Sequence, residues 1–463
     1  MTAISQVLAV PAVGAYYYDD LAALQSEPIP LSERYAAPPV TPGFRRAREV
    51  AEAVSVGLVL DDGQVAWGDC TAVEFSGKAG RHPVFRAASG LATIRQTVAP
   101  LLEGRGLASF RQLAEDVDEL IESVEVTRPA PERSGMTRRD LLAAPARALR
   151  GGKEAGQATA DVERVTVEEQ LHTAVRYGVT QAILRAVAMS RGQTPAEVIA
   201  YEWDLPLPDA AVPIHAQCGA DRYAGADKMI ARRVASLPHT LVDNIPEHLG
   251  ADGVVLTRYA RWLKARVEEL GGPDYHPTIH LDVHGALGQI YDNQLGRVLG
   301  QLYALEQAVQ PLPLRVECPV LMESREEQIQ ALKTLREYVA FRGMSVRIVA
   351  DEWANTLEDI QAFVEAQAVD VIQVKMPDLG GVHNSVEAVL ACKEGHVGAF
   401  LGGSCAETDL SARLAVHVAL ATRPEMIMAK PGMGVDEGIT IVQNEMARAL
   451  AEIETRKEAQ HPA

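Results

Sequence analysis

Four short apolar runs between Thr278 and Gly381 each lead into a side chain that can do chemistry. TIHLDVHG leads into Asp282, PLRVECP into Glu317, VRIVADEW into Asp351 and DVIQVKMPDLGG into Lys375. Between them, LGRVLGQLYALEQAV, EEQIQALKTLREYVAF and TLEDIQAFVEAQ repeat apolar residues near the 3.6 period and predict helices. This alternation predicts β-α units with parallel strands.

The rhythm extends on both sides. AVPIHAQCG (211–219) predicts a strand ending at Gln217, and SLPHTLVDNI (236–245) a strand with His239 near its start. VGAFLGGSCAET (397–408) predicts a strand, a tight Gly-Gly turn and a helix start, whose N–H groups can hold a carboxylate. MIMAKPGMGVDEG predicts a last strand ending at Lys430, and TIVQNEMARALAEIETRK a final helix.

The upstream pattern differs. Residues 3–18 predict a strand broken by Pro11 and Gly14. AVSVGLVL and VAWGDCTAV predict a hairpin turning at Asp62-Gly63, hence an antiparallel N-terminal unit. SGKAGRHP (76–83) is glycine-rich without Walker spacing and reads as a lid or a plain connection. Helical patterns follow over 88–124. Residues 125–165, rich in Ala, Arg, Gly and Pro, break the pattern and read as a mobile insertion with a short helix near 138–150. Its basic residues either meet an acidic neighbouring subunit or form a solvated loop. Val167–Gly192 predicts an amphipathic helix leading into the β-α half.

Parallel strands present their C-terminal ends on one face, where barrel enzymes place their chemistry. Asp282, Glu317 and Asp351 would converge there. Three carboxylates at one point resist ionising together. A divalent cation such as Mg²⁺, which takes oxygen ligands, removes that conflict. Lys375 on the next strand end is then placed as a base beside an enolate-stabilising site. The competing reading is that each acid caps the helix after its strand.

Composition narrows the partners. The net charge of −18 and pI near 5.2 argue against nucleic acid or an anionic membrane. Five scattered cysteines without CxxC spacing fit a reduced, cytoplasmic protein and no zinc site. No apolar run reaches membrane length. No Lys or Arg precedes Arg34, so a secretory signal would lack its charged start.

Ten stretches run in a fixed order along the chain: GQVAWGDCTAV, SGKAGRHP, LHTAVRYGVTQAI, DRYAGADKMI, LPHTLVDNI, YHPTIHLDVHG, VADEWANT, IQVKMPDLGGVHN, GGSCAET and AKPGMGVDEG. Together they resemble the methylaspartate ammonia-lyase family of the enolase superfamily. The resemblance implies an α/β fold: an N-terminal α+β capping domain (1–165) on a modified (β/α)8 TIM barrel (166–463). It also implies a homodimer, and reversible loss of ammonia from a 3-substituted aspartate, an amino-diacid. Asp282, Glu317 and Asp351 then match Mg²⁺ ligands, and Lys375 the base for the (2S,3S) substrate. His239 matches the residue on the opposite face, which serves the other C3 epimer and the metal-bound carboxylate. Gln373 matches a donor to that carboxylate, and Gln217, Ser404 and Cys405 match contacts to the amino and α-carboxylate groups. Lys430 is either a second helper or structural.

The substituent pocket departs from the pattern. Where the family typically carries Gln, Phe, Tyr and Leu, this chain has Glu74, His215, Phe400 and Met428, and Ser404 replaces a threonine. The change is either drift within one activity or a different 3-substituent, with Glu74 and His215 paired or facing a polar group. Another enolase-superfamily reaction, dehydration or epimerisation of a different acid, is the second reading. A non-enzymatic scaffold is the third, and the intact carboxylates and Lys375 argue against it.

Overall fold

The computed structural model describes residues 2–26, 29–129, 162–219, 221–240, 242 and 244–460. Three strands open the chain: β1 (Ile4–Asp19), β2 (Arg48–Leu60) and β3 (Val65–Cys70), antiparallel in the order β1-β2-β3. Contrary to expectation, β1 is continuous through Pro11. An edge strand tolerates a residue without an N–H, and β1 pairs on one side alone; its register shifts between Ile4 and Gln6 and, around Gly14 as expected, between Val13 and Tyr17. The predicted hairpin turn sits between β2 and β3, with Gly63 at φ +87°.

The described residues of 120–129 and 162–171 belong to a unit of their own. Its described part is a hairpin of β4 (Ile121–Pro129) and β5 (Val162–Gln170), paired from Ile121–Gln170 to Pro129–Val162. The short helix expected near 138–150 lies outside the described residues.

The helix Thr173–Arg191 begins later than predicted, because residues 167–170 belong to β5. It is buried almost all round from Thr173 to Ala188, not amphipathic. Its backbone lies directly on β3: a Cβ on Gly68 would sit 2.1 Å from the Gly178 carbonyl oxygen. Two glycines therefore let strand and helix touch main chain to main chain, and this contact joins the N-terminal sheet to the barrel.

Eight parallel strands close the barrel: β6 (Ile214–Ala216), β7 (Ser236–His239), β8 (Thr278–Asp282), β9 (Leu314–Glu317), β10 (Arg347–Ala350), β11 (Val371–Val374), β12 (Gly398–Leu401) and β13 (Met426–Ala429). Their order around the ring follows the chain, with β13 beside β6. A helix follows each strand, from Arg222–Ala231 after β6 to Val435–Gln460 after β13. The strands are short apolar runs, buried on both faces as covered parallel sheets require. No helix among the described residues is long and apolar enough to cross a membrane.

Candidate active site

The ends of β8, β9, β10 and β11 carry Asp282, Glu317, Asp351 and Lys375 in succession. Asp282 and Glu317 are register partners on adjacent strands. The helix-cap alternative fails for two of the acids. Ser324 caps the helix after β9 and Thr356 the helix after β10, each accepting a backbone N–H through its hydroxyl. Glu317 and Asp351 are free to face the barrel mouth, and all three acids are almost fully buried.

The order of strands in the ring sets the layout. His239 on β7 and Lys375 after β11 stand four places apart in a ring of eight, on opposite sides of the mouth. The three carboxylates occupy one arc between them. Gln217 after β6 and Ser404 and Cys405 after β12 occupy the other arc. His239 ends its strand, whereas the sequence placed it near the start. Left-handed backbone at His239 (φ +67°) and Thr240 (φ +52°) stops β7 there. His284 (φ +45°), Cys318 (φ +47°) and Trp353 (φ +66°) repeat the feature after β8, β9 and β10. Such strain gathers where a structure aims side chains at a site.

A small pocket opens here. Its lining includes His239, Asp282, Gln373, Lys375 and the Ser404-Cys405 turn, closed above by Glu74 and Arg81 from the N-terminal part. SGKAGRHP thus covers the pocket. Gly80 packs on the Trp353 ring, and Asn355 Nδ2 donates to the Ala79 carbonyl at 2.6 Å.

Lys375 Nζ donates to Asp351 Oδ2 at 2.7 Å, and Arg81 Nη2 reaches the other oxygen at 3.2 Å. Burial pulls the Lys375 ammonium down, but Asp351, together with Asp378 and Glu352, more than offsets that and holds it above the ordinary lysine value. Burial, then the charges of Asp282 and Asp351, push the Glu317 carboxyl well above the usual range. Glu317 accepts from Gln373 Nε2 at 2.5 Å and contacts His280 Nε2 at 2.7 Å. Burial alone would lower His284, yet Asp282 and Glu352 hold it at about 9. Burial would raise Glu352; His284 and Arg81 hold it well below.

The donor set fits a hard cation. Asp282 and Glu317 bring ligand atoms within 4.8 Å of each other and of His239. Asp351 stands on the next strand with its oxygens on Lys375 and Arg81. Oxygen preference favours a third carboxylate over the imidazole.

Of the four substituent-wall residues, Glu74 and Met428 line the pocket. His215 and Phe400 do not: they lie one layer deeper. Alternate residues of a strand share its inner face, so Gln217 takes the mouth and His215 the layer below. Phe400 packs with Val349, Val371, Met426 and Met428. His215 does not pair with Glu74 but bonds His239 and Ser236. Lys430 is fully buried. It pairs with Glu407 at 2.9 Å and donates to the Gly402 carbonyl at 3.0 Å, which makes it a brace for the Gly402–Cys405 turn.

Sequence reasoning missed Arg81, His280 and His284. His280 was findable, since it precedes Asp282 by two on one strand and must share its face. Arg81 was not, because its partners lie 270 and 297 residues away.

A closed parallel barrel with carboxylates on three consecutive strand ends, a lysine on the fourth and a covering N-terminal part defines an enolase-type, proton-abstracting enzyme. The family description "Methylaspartate ammonia-lyase C-terminus" matches residues 206–455, and the N-terminus description matches 2–153 and 149–204. Methylaspartate ammonia-lyase 2 of Carboxydothermus hydrogenoformans is 44% identical over 453 residues, 98% of this chain and 99% of that one. Two crystal structures are also similar. One is Citrobacter amalonaticus methylaspartate ammonia lyase containing (2S,3S)-3-methylaspartic acid (TM-score 0.84, 40% identity, 98% and 100% coverage). The other is the Mg-complex of Clostridium tetanomorphum β-methylaspartase (TM-score 0.81, 38% identity, 98% and 100% coverage). The chain belongs to the methylaspartate ammonia-lyase family.

Proposed function

We propose that the protein is a carbon-nitrogen lyase that reversibly removes ammonia from 3-methylaspartate, giving mesaconate, or from a close 3-substituted aspartate. The observation that carries this is the ring layout. Lys375 and His239 stand on opposite sides of the mouth, three carboxylates fill one arc, and amide, hydroxyl and thiol groups fill the other. The relatives' shared name, and the amino-diacid held by the Citrobacter enzyme, point the same way.

Asp282, Glu317 and Asp351 would hold Mg²⁺, which when bound neutralises charge on the substrate carboxylate next to C3. Lys375, neutral when it acts, takes the C3 proton of the (2S,3S) substrate. The electron pair stays on C3 and spreads into that carboxylate, which Gln373 also supports as a donor. The pair then forms the C=C bond as ammonia leaves from C2. Gln217, Ser404 and Cys405 hold the amino and α-carboxylate groups. His239 takes the proton of the opposite epimer. Glu74 and Arg81 exclude water from above. Dehydration or epimerisation of another acid fits less well, because Gln217, Ser404 and Cys405 in the arc opposite the carboxylates suit an amino-diacid. A homodimer in the cytoplasm belongs to the same proposal; light scattering of the purified chain reads the assembly.

The test is incubation with Mg²⁺ and a panel of 3-substituted aspartates, following ultraviolet absorbance and released ammonia. Equal amounts of unsaturated diacid and ammonia from 3-methylaspartate are expected. No ammonia from any aspartate, with turnover of a hydroxy acid, would transfer the assignment to the alternative.

A further inference from the structure

His239 is one of the two opposed bases in the proposed reaction, and this inference rests on that reading. What its ring can do depends on which nitrogen carries the proton, and the bond at the other nitrogen decides that. His239 Nδ1 lies 3.0 Å from His215 Nε2, on the neighbouring strand β6. His215 Nδ1 lies 2.8 Å from the hydroxyl of Ser236, the first residue of β7. Both rings and Ser236 are almost fully buried. His280 and Phe400 pack against the His215 ring, with centroids 4.5 and 5.5 Å away, and fix its plane.

The Ser236 hydroxyl can accept from His215 Nδ1–H, and that direction sets the chain of bonds. Burial, then neighbouring His239, push the His215 imidazolium well below the ordinary value, so the ring is neutral. Its Nε2 is then bare and accepts from His239 Nδ1–H. That leaves His239 Nε2 bare, at the nitrogen facing the pocket. Asp282 Oδ2 is 3.4 Å from it, longer than a normal hydrogen bond, and 3.1 Å from His284 Nε2.

We propose that His215 is a positioning residue for His239, holding its ring and tautomer so that a proton-free Nε2 faces C3 from the side opposite Lys375. In the step itself the C3 proton goes to His239 Nε2, and the C–H electron pair becomes the C=C bond as ammonia leaves with the C–N pair. The resulting imidazolium keeps its Nδ1–H bond to His215. Turnover of the (2S,3R) epimer, which uses His239, therefore depends on the bond from His215.

The test measures kcat on (2S,3R)- and (2S,3S)-3-methylaspartate and reads their ratio. Loss of the orienting bond in His215→Phe should lower the 3R/3S ratio about tenfold, a part of the 10²–10⁴ that a general base contributes. His215→Gln, whose side-chain oxygen can accept from Nδ1–H, should recover part of the ratio. An unchanged ratio in His215→Phe, including an equal fall for both epimers, would reduce His215 to packing and overturn the proposal. A separate His239→Ala variant distinguishes the underlying reading. It should lose 3R turnover; if it keeps it, His239 is not that base and the positioning claim falls with it.

Discussion

Arg81 Nη2 lies 3.2 Å from Asp351 Oδ1, joining a glycine-rich loop of the N-terminal part to a strand end of the barrel. The same guanidinium donates through Nε to Asp378 at 2.8 Å and lies 3.8 Å from Glu352. Its side chain is 1% exposed. One cation therefore compensates three buried carboxylates and fixes one oxygen of Asp351 while the other faces Lys375.

Arg81→Met should destabilise the fold, because breaking a buried pair leaves uncompensated charge at a cost of roughly 3–5 kcal/mol. Denaturant unfolding measures it. Arg81→Lys should recover some of the loss, though one ammonium cannot match the fork. An unchanged unfolding midpoint in Arg81→Met would show that the three acids are neutralised otherwise.

Magnesium should stabilise the folded protein, because the carboxylate cluster exists only in the folded chain. At about 100 times the dissociation constant the gain is about 2.7 kcal/mol. Thermal unfolding with added Mg²⁺ and then a chelator reads the gain and its reversal. Glu317→Gln should abolish the response. A response retained in that variant would place the ion elsewhere.

Glu74 gives a pH dependence. Burial, then the Asp19 charge, raise its carboxyl to about 8. An unfolded glutamate titrates near ~4.3. Between these values the folded chain keeps a proton that the unfolded chain has released. Stability contributed through this group therefore falls as pH rises from about 4 to 8. Glu74→Gln removes the titration, so its melting temperature should gain on the parent across that window and stay level above it. Above about 8 the ionised Glu74 should also raise KM for the diacid in the parent but not in the variant. Parallel pH profiles for the two proteins would contradict the assignment.

The strand ends were legible because each joins a short apolar run to a single reactive side chain, and the period of two placed Gln373 with Lys375. The same period, applied backwards from Asp282 and Gln217, would have placed His280 and His215 on inner layers. His215 was instead read as a pocket wall, because position in a motif carries no depth. β1 looked broken at Pro11 because sequence does not reveal which strand is an edge. The Arg81–Asp351 contact was invisible for a different reason: nothing local signals a partner 270 residues away. The capping reading of Glu317 and Asp351 fell only when Ser324 and Thr356 proved to be the caps.

The most direct test of the account is the kcat of Lys375→Ala on (2S,3S)-3-methylaspartate, with Mg²⁺ binding measured on the same sample. Lys375 Nζ is 2.7 Å from Asp351 Oδ2, and the account assigns it the C3 proton of this epimer. Losing a general base should lower kcat by about 10²–10⁴-fold, while the three carboxylates still take up the ion. Near-parental turnover by Lys375→Ala would contradict the account, since another group would then remove the proton.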